Sequence, residues 1–148
     1  MNKLLLCLAV LFLSTPVWAA LGQPESSVSA DQQVLRGELR QEVHTTYKVH
    51  QITAANGVVW REFASPAGMV FAISWQAPHM PNLEQMLGAG LVDLQVALQS
   101  AAPRRTRGPL IIRTEKLIFV SGGHMRNFHG YAYIPGLLPP NVSPETLQ

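Results

Sequence analysis

Polar and apolar positions alternate with a period of two from Tyr47 to Gln76, take helical spacing over 82–99, and return to period two from Leu110 to Ile134. A period of two sends successive side chains to opposite faces of a strand, whereas a 3.6-residue period gathers them on one side of a helix. The first block predicts three antiparallel strands: Tyr47 to Thr53, Val58 to Ser65 and Met69 to Gln76. Asn56-Gly57 separates the first two, and both residues tolerate the positive φ of a tight hairpin. Pro66-Ala67-Gly68 separates the next two, with proline presetting one φ and glycine supplying a left-handed residue. A two-residue Asn56-Gly57 loop pairs Ala55 with Val58, His50 with Phe63 and Ile52 with Arg61. The second loop then pairs Phe63 with Phe71 and Val59 with Trp75. The expected core face carries His50, Ile52, Val59, Phe63, Phe71, Ile73 and Trp75. The other face carries Tyr47, Val49, Trp60, Glu62, Val70 and Ala72. A slip of one residue exchanges the two faces.

In the helical block, Leu83, Met86, Leu87, Leu91, Leu94 and Leu98 form one apolar side. Asn82 is an N-cap with Gln85 in capping-box position, and Gly88 and Gly90 split the helix. The last block predicts strands at Leu110 to Arg113 and Leu117 to Val120, a hairpin at Gly122-Gly123, and a return strand from His124 to Ile134. Residues 20–42 are weakly patterned. They allow a short helix starting at Ser29-Ala30-Asp31 and running to about Leu39, which Gly37 weakens by ~1 kcal/mol relative to alanine. Pro135, Pro139, Pro140 and Pro144 predict an irregular tail over 135–148, with one helical turn starting at Ser143-Pro144-Glu145. Arg104, Arg105 and Arg107 mark an exposed loop. The fold class is α+β: two antiparallel three-stranded units with an intervening helix packed on the sheet. One curved sheet is preferred over two separate ones.

The first residues carry an address. Lys3 precedes an unbroken apolar run, Leu4 to Leu13, too short for the ~20 residues that span a bilayer. Ser14-Thr15-Pro16 breaks the run, and Val17-Trp18-Ala19 offers a signal peptidase its recognition positions. The segment 1–19 is expected to be a signal peptide cleaved between Ala19 and Ala20. Residues 20–148 are then one periplasmic or secreted domain with no transmembrane segment. Cys7 leaves with the signal, so the domain has no disulfide and must hold together by packing.

Composition narrows the chemistry. The chain has 148 residues, 47% hydrophobic and 14% charged, which excludes a disordered chain. A net charge of +2 gives no field suited to nucleic acid. No nucleophile elbow, phosphate loop, dinucleotide fingerprint or His-Glu-x-x-His motif occurs. No catalytic residue, cofactor or metal is therefore assigned.

The densest polar stretch is Ser121 to Gly130. If Gly122-Gly123 turns the hairpin, His124, Arg126 and Phe128 share one face, and His129 points away from His124. Opposed histidines cannot share a metal. His124, Arg126, Phe128, Gly122 and Gly123 form the candidate binding site, because a glycine turn admits another backbone and Arg126 can grip an anion. Its partner is expected to be another exported or envelope protein. The rival reading is a small periplasmic enzyme or metal-binding protein centred on His124 and Arg126. A purely structural account instead pairs Arg126 with Glu62 or Glu115.

Several stretches together resemble a known family. They are Ala20-Leu21-Gly22, Tyr47-Lys48-Val49-His50, Arg61-Glu62-Phe63, Gly68 through Ala72 with Trp75, and Leu87-Gly88. The most specific is Ser121-Gly122-Gly123-His124-Met125-Arg126-Asn127-Phe128-His129-Gly130, with Pro135 and Leu137-Leu138-Pro139. The chain resembles the secreted Gram-negative proteins grouped as domain of unknown function 2844. The resemblance implies an exported protein and carries over no catalytic or binding residue.

Overall fold

The computed structural model describes residues 21–100 and 108–147. Its strands are β1 (Glu38–Val43), β2 (Lys48–Thr53), β3 (Val59–Ala64), β4 (Val70–Ala77), β5 (Leu110–Arg113), β6 (Ile118–His124) and β7 (Asn127–Tyr133). They form a single seven-stranded sheet in the order β1-β2-β3-β4-β7-β6-β5, with every neighbouring pair antiparallel. The α+β class holds, but the two three-stranded units are corrected to one sheet. β4 and β7 pair from Ala72–Tyr133 to Ala77–Phe128, and β1 adds an edge strand. β1 is polar and largely exposed, so it shows no buried alternation. Its charges suit an edge that must not recruit further strands.

The first hairpin corrects the expected register. Its loop holds three residues, Ala55 to Gly57: the Ala54 N–H donates to the Val58 carbonyl at 2.9 Å. Asn56 Oδ1 accepts the Val58 N–H at 3.2 Å. The extra residue slips the pairing, so Val49 opposes Phe63, His50 opposes Glu62, and Ile52 opposes Trp60. Trp60 and Glu62, expected outside, therefore join His50 and Ile52, while Val59 and Phe63 move to the opposite side.

The second loop closes as expected, with the Ser65 N–H donating to the Met69 carbonyl at 2.8 Å. A β-bulge follows. Phe63 opposes Ala72 and Ala64 opposes Val70, which leaves Phe71 as the extra residue. Phe71 and Ala72 both pack with Val49 and Phe63, while Val70 and Ile73 join the core on the other side. β4 is consequently buried on both faces.

Three helices cover one side of the sheet: α1 (Val28–Leu35), α2 (Leu83–Leu87) and α3 (Gly90–Ser100). Val28, Met86, Leu87 and Leu94 pack on Ile52, Trp60, Ile73, Trp75, Leu117 and Phe119. Burying each such side chain contributes roughly 1.5–3 kcal/mol. Asn82 caps α2 as expected, its Oδ1 accepting from the Glu84 and Gln85 N–H groups at 2.9 and 3.3 Å. α1 stops short of Leu39, because Arg36 turns left-handed with φ 50°. Gly37 explains the early exit. A Cβ there would sit 2.6 Å from Ile52 Cγ2 and 2.9 Å from the Thr53 carbonyl oxygen, so only glycine lets the chain drop beside β2.

The proline-rich segment covers part of the other side. Two short 3-10 turns, Pro135–Leu137 and Pro144–Leu147, bring Val142 and Leu147 onto Val49, Phe63 and Phe71. Tyr47, Tyr131, Tyr133 and Leu138 rim that second core. The signal segment with its Ala19–Ala20 bond, and most of the arginine loop, lie outside the described residues.

Candidate functional site

The β6–β7 hairpin turns at Met125-Arg126 and not at Gly122-Gly123, since His124 opposes Asn127. Arg126 takes a positive φ of 67° in that turn, and Gly123, with φ 116°, takes one inside β6. Gly122 and Gly123 instead lie within β6, opposite His129 and Phe128. Two corrections follow. Phe128 lies on the face opposite His124, and Arg126 stands at the tip, so His124, Arg126 and Phe128 do not share a face. His124 and His129 do share one, because partners across a ladder point the same way. Among the described residues, no group of three or more His, Cys, Asp or Glu is arranged to hold a metal ion. Glu62 lies buried under the helices, which removes it as a partner for Arg126.

Gly122, Gly123, His124, Phe128 and His129 line a shallow depression of about 550 Å³, with Met80, Gly108 and Pro109 beside them. It wraps the outer edge of β6 where β5 has ended, since Leu110 opposes Ser121. Arg126 belongs to a separate hollow with Asn56, Gly57 and Pro78.

A second depression, of about 260 Å³, adjoins the first through Pro109, Gly122 and His129. Arg61, Ser74, Gln76, His129 and Tyr131 furnish its polar groups. They come from β3, β4 and β7, where Arg61 opposes Ser74, Ser74 opposes Tyr131, and Gln76 opposes His129. This is the part of the tail side that the tail leaves open. Arg61 Nε donates to Gln51 Oε1, its cross-strand partner on β2, at 2.9 Å. Among the described residues Arg61 makes no ion pair. Ser74 is 3% exposed, and its buried Oγ has no hydrogen-bond partner. Such a hydroxyl costs about 1–3 kcal/mol unless a visiting group satisfies it.

The helix side hides a different polar cluster. Asp31 of α1 and Glu62 of β3 are each 1% exposed. Gln85 Nε2 donates to Asp31 Oδ1 at 3.4 Å, and Trp60 Nε1 donates to Glu62 Oε1 at 2.9 Å. The two carboxyls lie within hydrogen-bonding reach of one another. Burial, then repulsion from Glu62, pushes Asp31 up to about 8. Burial also raises Glu62, against the opposing pull of its hydrogen bonds to Asp31 and Trp60 and of nearby His50. Next to the pair, His50 Nε2 bonds Glu25 Oε1 at 2.9 Å, and Lys48 Nζ donates to both Glu25 oxygens at 3.0 Å.

A family model described as "Protein of unknown function (DUF2844)" matches residues 17–147. The chain belongs to this family. Neither the curated proteins nor the solved structures contain a match.

In this DUF2844 chain the sequence pattern locates the β6 end of the basin and misses Arg61, Ser74, Gln76 and Tyr131. They became visible only when β4 paired with β7, a contact between distant segments. It also misses the acid pair. Asp31 falls at helical spacing between Val28 and Leu35, and Glu62 falls two residues from Trp60. A carboxyl at a position whose period demands an apolar residue was the available signal.

Proposed function

We propose that this DUF2844 protein is an exported binding module that takes a small carboxylate-bearing ligand in the open basin. The buried, unsatisfied Ser74 Oγ, opposite an Arg61 that makes no ion pair among the described residues, carries this reading. A guanidinium grips a carboxylate through two parallel hydrogen bonds, and Ser74, Gln76, Tyr131 and His129 surround the same floor with further polar groups. Gly122, Gly123, His124 and Phe128 extend the basin towards the β6 edge, where the rest of a ligand or a partner chain can lie. Arg126 has no part in it. Export rests on Lys3, the Leu4–Leu13 run and the Val17-Trp18-Ala19 pattern.

The test is a titration of the 20–148 chain, followed by amide chemical shifts, with acetate and with an acetylated tetra-alanine bearing a free C-terminal carboxylate. Both should move Ser74, Gln76 and Tyr131 at about millimolar concentration, a level near −4 kcal/mol. Arg61→Gln should abolish the shifts while leaving the melting temperature unchanged. Shifts confined to other surfaces, or equal in Arg61→Gln, refute the basin.

A further inference from the structure

We propose that a single proton shared between Asp31 of α1 and Glu62 of β3 latches the N-terminal helix onto the sheet, so that rising pH releases it. The observation is the buried acid pair, a feature separate from the basin. Each carboxyl receives one neutral donor, from Gln85 or Trp60. The remaining oxygens, Asp31 Oδ2 and Glu62 Oε2, are buried with no donor aimed at them among the described residues. Two ionised carboxylates repel at this range, and two acceptors cannot bond. One proton between them converts the repulsion into a hydrogen bond, the arrangement found wherever two carboxyls share a dry site.

Among the described residues, no element packed against the pair supplies a cation that could replace that proton. α2 contributes only the neutral Gln85, and β3 only the neutral Trp60 indole. β2 contributes His50, which opposes Glu62, but its Nε2 is engaged by Glu25 and its Nδ1 has no partner. Lys48 is turned outward onto the same Glu25. Among the described residues no lysine or arginine pairs with Asp31 or Glu62. The repulsion within the pair is therefore relieved by a proton of its own, which leaves one negative charge shared over the two carboxyls.

The sign follows from linkage. The closed state holds Asp31 protonated up to about pH 8. A released α1 returns both carboxyls to water, where they ionise near ~4. Opening therefore frees one proton between these limits, and the open population rises about tenfold per pH unit across that window. Above the upper limit both states are ionised and the slope levels off. Release of α1 withdraws Val28 and Leu35 from the core cluster that holds Ile52 and Trp60.

Hydrogen exchange of the 20–148 chain between pH 5 and 8 tests the latch, with rates corrected for the intrinsic effect of pH. Protection of the Gln32 to Arg36 amides should fall about tenfold per pH unit, while protection of the Ile73 and Phe119 amides should not follow it. Glu62→Gln and Asp31→Asn each supply a permanent N–H donor and should flatten the slope. A wild-type α1 whose protection does not change with pH overturns the proposal whether or not either variant folds. So does an undiminished slope in either folded variant.

Discussion

The two sides of the sheet handle polar residues in opposite ways. On the helix side, α1, α2 and α3 seal the surface, and the acids caught beneath them must satisfy one another. On the tail side, Val142 and Leu147 close one half and leave the other to solvent. There Arg61, Gln76, Tyr131 and His129 remain available. β3 carries both regimes within one strand, since Trp60 and Glu62 face the helices while Arg61 and Phe63 face the tail. Coverage, more than residue type, decides whether a polar side chain is a structural obligation or a handle for a ligand.

The largest expected difference is in packing. Phe119, on the helix side, is 1% exposed and stacks on Trp75 at 5.6 Å. Phe119→Ala should cost about 3–5 kcal/mol in a denaturant melt, the range for a buried aromatic. Leu147, on the tail side, is equally buried, yet it sits in a terminal turn. Leu147→Ala should cost only about 1–2 kcal/mol, because the turn can lift away without unfolding the sheet. Equal losses for the two variants would make the tail as integral as the helices and erase the distinction.

The smallest effect concerns charge. Burial raises the Glu25 carboxyl, but hydrogen bonds from Lys48 and His50 outweigh it and hold the group below 4.5. A depressed carboxylate stabilises the fold above its unfolded value, and that stability is lost as pH falls through its folded value. Glu25→Gln should therefore cost about 0.5–1 kcal/mol at neutral pH. The gap from wild type should close on acidification below 4.5. A gap that widens in acid would place Glu25 in the wrong partnership. This dependence has the opposite sign to that of Asp31, so pH profiles distinguish the two carboxyl sites.

Much of the strand and helix content was legible in periodicity, because β2, β3 and β4 are rich in strand formers and Asn82 caps α2. The register was not. It hinged on whether the first loop holds two residues or three, and Asn56-Gly57 is compatible with both. That single residue moved Trp60 and Glu62 from the outside to the core. The β6–β7 hairpin failed for a related reason: two glycines suggest a turn, but Gly122 and Gly123 are accommodated in β6, Gly123 at φ 116°, and the turn falls at Met125-Arg126 with Arg126 left-handed. Nothing in the pattern marked the role of Gly130, which leaves room for Trp75, whose Cζ2 would lie 2.4 Å from a Cβ there.

The sheet order also carries a kinetic consequence. Every neighbouring pair joins strands consecutive in the chain except β4 with β7. Two meanders, β1 to β4 and β5 to β7, can each zip locally, but their union must close a loop running from Ala77 to Asn127. The entropy of that closure is spent before any β4–β7 hydrogen bond forms, which makes the junction the slow event in folding. During synthesis the first meander emerges complete while its partner does not yet exist. For that interval β4, with the sequence Val-Phe-Ala-Ile-Ser-Trp-Gln-Ala, is an unpaired apolar edge. Such an edge invites pairing with any other chain in the same state. The strand that unites the two meanders in the finished molecule is thus the one most exposed to misassembly while the molecule is being made.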